Sequence, residues 1–182
     1  MERYDSGGAP SPAPSLVLGG LSLWVLDKAF PESVEWYDGT WLQVRAECNA
    51  PGATVTANGP LLTAEDIGRL LDGMEAMHWR GASSAQMSPL EPNLVVSLTG
   101  SSRGRLRIDV RITPDSMTQE HRFFFDADVA YLAGPIDQCR EILRRFPAAE
   151  GPYAASPAAG VGATEGVGCN AAKARPNRTV EV

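Results

Sequence analysis

Histidine occurs only at His78 and His121 in the 182-residue chain, and cysteine only at Cys48, Cys139 and Cys169. No HxH, HExxH or Asp-x-Asp grouping accompanies either histidine, so the spacing that a metal site needs is missing. The cysteines lie far apart and form no CxxC pair, which argues against a zinc knuckle, a redox dithiol and a disulfide scaffold. Cys48 and Cys139 fall at apolar positions of a strand-like and a helix-like segment. They are expected to be small buried hydrophobes in a reducing compartment. No cofactor and no metal are expected.

Lysine is equally scarce, with Lys28 and Lys173 standing against fourteen arginines. Lys+Arg 16 against Asp+Glu 22 leaves a formal charge of −6. Nucleic acids are held mainly by cationic side chains on phosphates, so such a partner is disfavoured. An anionic membrane would repel the chain, and a basic protein partner would be attracted to it. Long apolar runs are also missing. Ser15–Leu26 is too short for the ~20 residues of a membrane span. It follows Glu2, Arg3 and Asp5 rather than a basic segment, and no small-x-small cleavage site comes after it. It is expected to form a pair of buried strands in a cytoplasmic protein.

What is present is an ordinary globular middle between two unusual ends. Residues 1–15 are rich in Gly, Pro and Ser and are expected to be a flexible arm. Within Pro147–Val182, Ala, Gly and Pro supply 19 of 36 residues. Such a tail buries too little apolar area to offset backbone ordering of about 1–2 kcal/mol per residue, so 147–182 is expected to be disordered. Its charges cancel, and the acidic excess therefore belongs to residues 1–146. Residues 16–146 are expected to form one domain.

Period-two alternation marks strands within that domain. In Trp41–Cys48, Leu42, Val44, Ala46 and Cys48 share one face, while Trp41, Gln43, Arg45 and Glu47 share the other. In Arg105–Ile112, Leu106, Ile108, Val110 and Ile112 point inward, and Arg105, Arg107, Asp109 and Arg111 face water. Asn93–Thr99, Leu21–Leu26, Ala53–Ala57, His121–Phe125 and the shorter Ala85–Met87 complete the set. One polar face per strand suits antiparallel pairing, and the tight links Asn49–Gly52 and Gly100–Gly104 require it.

Two segments carry helical spacing. Ile67, Leu70, Leu71, Met74 and Met77 recur at i, i+3, i+4 and i+7 within Thr63–Trp79. Thr63 with Asp66 gives a capping-box-like start, and Gly81 a stop. Ile136, Cys139, Leu143 and Phe146 form the second stripe, over Ala133–Phe146, with Pro135 in the tolerant first turn. The fold class is α+β: a largely antiparallel sheet of six to seven strands packed with two helices.

No catalytic set emerges. No G-x-S-x-G elbow marks a nucleophile, and neither Gly19-Gly20 nor Gly100–Gly104 has the strand–glycine–helix order of a phosphate loop. The expectation is a protein that is not an enzyme. Arg105, Arg107, Arg111 and Arg122 could present a basic face, or could simply pair with Asp109 and other acids across a solvated sheet.

The stretch Pro31–Gly39, leading into Trp41 and Leu42, is the most informative. It places Glu32, Glu35 and Asp38 beside Trp36, Tyr37 and Trp41. Aromatics with adjacent carboxylates are what a protein-binding hot spot for a basic partner needs, so Glu32, Glu35, Trp36, Tyr37 and Asp38 are candidate partner-binding residues. The alternative stands beside it: Asp38-Gly39 is a turn, and Trp36 and Trp41 cap one end of the core. In Pro89–Leu94 two prolines hold Glu91 extended before a strand. Its carboxylate could receive backbone donors or an arginine.

Taken together, Trp36-Tyr-Asp-Gly-Thr-Trp-Leu42, Pro89-Leu-Glu-Pro-Asn-Leu94, the strand end Phe123–Asp126, the D-x-x-Y-L run Asp128–Leu132 and Leu143-Arg-Arg-Phe-Pro147 resemble the signatures of WapI-type bacterial immunity proteins. The resemblance spans about Leu16 to Pro147. Gly39, Trp41, Leu42, Glu91, Asp126 and Tyr131 match its structural motifs rather than any catalytic one. It implies a cytoplasmic immunity protein that neutralises a cognate polymorphic toxin, a basic nuclease domain, by occlusion. A general protein-interaction domain without a toxin is the alternative.

Overall fold

The structure is a computed structural model, and residues 12–33, 38–101 and 103–148 are described. Two four-stranded antiparallel meanders carry the fold, each followed by a helix. The first contains β1 (Leu16–Leu18), β2 (Leu21–Lys28), β3 (Trp41–Ala50) and β4 (Ala53–Thr63), paired in that order, and α1 (Ala64–Arg80) follows it. The second contains β5 (Ser84–Met87), β6 (Leu94–Gly100), β7 (Arg105–Ile112) and β8 (His121–Asp128). A 3-10 turn over Val129–Leu132 leads from β8 into α2 (Ala133–Arg145).

The α+β class is as the sequence indicates, but among the described residues the strands number eight and divide into two sheets. Alternation fixes which face of a strand is apolar and is silent on which strands share a ladder. The difference in strand length is largest at β4. Alternation marks this strand only over Ala53–Ala57, yet it runs on to Thr63 through a bulge: Gln43 pairs with Pro60 and Leu42 with Leu62. The bulge leaves Leu61 as the extra residue, and a bulge is where a strand tolerates proline.

The inward faces of both sheets and the stripes of both helices meet in one buried core. It includes Leu16, Leu23, Val44 and Cys48 from the first sheet and Val96, Ile108 and Val110 from the second. Ile67, Leu70 and Met74 enter it from α1, and Ile136, Cys139 and Ile142 from α2. Each fully buried leucine contributes about 2 kcal/mol, so Leu16 and Leu18 anchor a strand of only three residues.

Local signals set the helix ends. The Thr63 hydroxyl accepts from the Asp66 N–H at 3.2 Å, and the Asp66 carboxylate accepts from the Thr63 N–H at 2.8 Å, which completes a capping box. The helix stops at Gly81, in the left-handed conformation. Midway along α1, a β-carbon on Gly73 would lie 2.6 Å from that of Ala85, so the helix approaches β5 closely because this residue has no side chain.

No helix among the described residues is long and apolar enough to cross a membrane. The expected flexible arm (except residues 12–15) and the expected tail beyond Ala148 lie outside the described residues.

Candidate partner-binding groove

The connection from β2 to β3 turns back at once: the Ala29 N–H donates to the Trp41 carbonyl at 2.8 Å and the Ser33 N–H to the Phe30 carbonyl at 3.2 Å. The Ser33 hydroxyl donates to Asp38 at 3.2 Å, ahead of a 3-10 turn over Asp38–Thr40. Glu32 is exposed and Asp38 half-buried. Glu35, Trp36 and Tyr37, the other candidate partner-binding residues, lie outside the described residues.

Trp41 opens β3 and is only 7% exposed, although it stands outside the main buried cluster. Part of it nevertheless reaches a groove of about 290 Å³, lined by Phe30, Trp41, Asn58, Gly59, Pro60, Leu61, Glu91 and Asn93. Three separate stretches converge there: the end of the β2–β3 connection, the β4 bulge and the β5–β6 connection. The last is held in place by Asn93, whose side-chain N–H₂ donates to the Thr113 carbonyl at 2.7 Å while its backbone carbonyl accepts from the Thr113 N–H at 2.8 Å. Glu91 is exposed and makes no hydrogen bond or ion pair among the described residues, so no backbone donor or arginine among them occupies it.

Leu42 is buried in the core, and Gly39 lies in the 3-10 turn with open space around it. Tyr131 sits elsewhere. Its hydroxyl accepts from the Gly19 N–H at 3.0 Å and donates to the Val17 carbonyl at 3.3 Å. The Gln138 side-chain oxygen accepts from the Val17 N–H at 2.9 Å. The D-x-x-Y-L run therefore ties the β1–β2 turn to the 3-10 turn that precedes α2. Phe125 packs under the same turn: a β-carbon on Gly20 would lie 2.4 Å from its ring and 2.2 Å from the Asn49 carbonyl oxygen.

A family model of the Immunity protein WapI-like family matches residues 17–147, which spans both sheets and both helices. The chain belongs to that WapI-like family. No curated protein and no solved structure matches it. In this WapI-like chain the quoted motifs thus separate into two physical groups. Trp41 and Glu91 line one groove, whereas Tyr131 and Leu132 fasten and fill the interior.

Of the second sheet's arginines, Arg107 and Arg122 are engaged, whereas Arg105 and Arg111 are exposed and their side chains form no hydrogen bond or ion pair among the described residues. Arg122 donates to Asp109 at 3.0 Å, and Arg107 and Arg122 lie 4.3 and 4.9 Å from the Phe124 ring centroid. The Arg122 hydrogen bond holds the Asp109 carboxyl below its usual range, against a smaller opposing effect of burial. Asp126 stands opposite Arg107, and Asp128 opposite Arg105.

No group of three or more His, Cys, Asp or Glu among the described residues is arranged to hold a metal ion. A His78 ring nitrogen pairs with the Val129 carbonyl at 3.1 Å, and one of His121 with the Gln119 side chain at 3.3 Å. Burial pushes the Cys48 thiol up to about 11 and the Cys139 thiol up to about 12, so both are poor nucleophiles near neutral pH.

Phe30, Asn58 and Pro60 are groove residues that alternation and motif spacing do not single out. Phe30 is an isolated aromatic beyond a strand, and Asn58-Gly59-Pro60 follows the alternating run Ala53–Ala57. Only the apolar Phe30, left 44% exposed, hints at a surface role.

Proposed function

We propose that this protein neutralises a cognate polymorphic toxin in the cytoplasm by covering the active surface of a basic nuclease domain, and performs no bond-making chemistry itself. Membership of the WapI-like immunity family carries this reading. The formal charge of −6 supports it, because a nuclease that grips phosphates is cationic and an acidic exterior attracts it while repelling its substrate. In this reading Glu32 and Asp38, together with Glu35, Trp36 and Tyr37 of the same stretch of sequence, contact the toxin.

The test is co-expression with the terminal domain of a polymorphic toxin from the same locus. Rescue of growth together with a complex that survives size-exclusion chromatography is expected. Continued killing with no complex overturns the toxin assignment and leaves a general interaction domain.

A further inference from the structure

We infer that the groove between Phe30, Trp41 and Glu91 receives a cationic side chain of the partner, an arginine or a lysine, as the anchoring contact of the complex. The inference rests on the proposed immunity role and adds the chemistry of one contact.

The lining carries the argument. Phe30 and Trp41 provide aromatic surface, Pro60 and Leu61 provide aliphatic surface, and Glu91 is the only charged residue of the lining among the described residues. Asn93 is oriented by its donation to Thr113, which leaves its side-chain carbonyl as an acceptor without a partner among the described residues. Asn58 adds a second amide. A carboxylate, amide acceptors and an aromatic flank suit a donor-rich planar cation. A guanidinium uses all three, through charge-assisted hydrogen bonds and contact with the ring. An anion would meet Glu91 with no compensating base. A neutral apolar side chain would strand its carboxylate in a partly dry site.

The groove is also pre-formed. Glu91 projects from a connection stiffened by Pro89 and Pro92 and pinned at Asn93, so ordering it on binding has a small entropic cost. At about 290 Å³ the space is at the small end of ligand pockets, which fits one long side chain rather than a metabolite.

Two measurements separate this inference from the role on which it rests. In the first, the toxin domain's association and dissociation rates are measured against the wild-type protein, Glu91→Gln and Glu141→Gln. Glu141 is an acid on α2 already paired with Arg144. Glu91→Gln is expected to speed dissociation roughly 10- to 100-fold with little change in association, and Glu141→Gln to leave both rates unchanged. Wild-type rates from Glu91→Gln overturn the groove contact while leaving neutralisation standing.

The second measurement needs no toxin. N-acetyl-argininamide is titrated into the full chain and the Trp41 indole resonance followed, with N-acetyl-norleucinamide as the uncharged control. A shift from the arginine compound that Glu91→Gln abolishes supports the contact, even if no toxin binds. Equal shifts from both compounds, or no shift because the chain's own side chains fill the groove, overturn it.

Discussion

Gly73 on α1 and Ala85 on β5 stand so close that a β-carbon on the glycine would lie 2.6 Å from the alanine's own. Alanine normally stabilises a helix interior by about 1 kcal/mol over glycine. At this contact the clash outweighs that gain, because overpacking costs about 1–3 kcal/mol. Gly73→Ala is therefore expected to lower the denaturation midpoint. Gly68→Ala, in the same helix with open space around its added methyl, is expected to raise it. Urea titration of the two variants checks the opposite signs.

Tyr131→Phe deletes the hydroxyl that bridges Gly19 and Val17 without removing the ring. A loss of about 1 kcal/mol is expected, concentrated at the β1–β2 turn. Amide hydrogen exchange should show Gly19 exchanging faster while amides of β6 and β7 keep their protection relative to global unfolding. Unchanged exchange at Gly19 would mean the bridge does not hold the turn.

The Asp109 carboxyl is held low by Arg122, so its folded pKa lies beneath its unfolded value. Its contribution to stability is present above the unfolded value and is lost as pH falls through the folded one. Between about pH 5 and about pH 3 the wild type is expected to lose more stability than Asp109→Asn, which has no carboxylate to protonate. Thermal melts of both across that range decide it. Parallel curves would show that the ion pair adds nothing.

Much of the fold is legible from alternation alone. The inward residues of β7, Leu106, Ile108, Val110 and Ile112, are all buried as their spacing demands, and Thr63, Asp66 and Gly81 bound α1 as their chemistry demands. The division into two sheets is not legible, because backbone pairing between strands leaves no mark in the side-chain pattern. The extension of β4 past Pro60 is hidden for a related reason: a bulge and a turn use the same residues. The groove is harder still. Trp41 and Glu91 each stand out locally, but only the register of β3 with β4 and the Asn93–Thr113 bonds bring their stretches together.

Charge reversal at exposed Glu32 tests steering separately from anchoring. Glu32→Lys is expected to slow association with the toxin domain several-fold at low salt, with the difference fading as ionic strength rises past the point where the Debye length reaches ~8 Å. Stopped-flow rates at two salt concentrations suffice. A salt-independent change would place Glu32 in direct contact instead.

The most direct measurement of neutralisation by coverage is a titration of the cognate toxin's nuclease activity with this protein at toxin concentrations well above the dissociation constant. Residual activity is expected to fall in a straight line and vanish at an equimolar ratio, with wild-type protein recovered unaltered. Loss of toxin activity at far less than equimolar protein would mean catalytic destruction, and full activity at excess protein would mean that no coverage occurs.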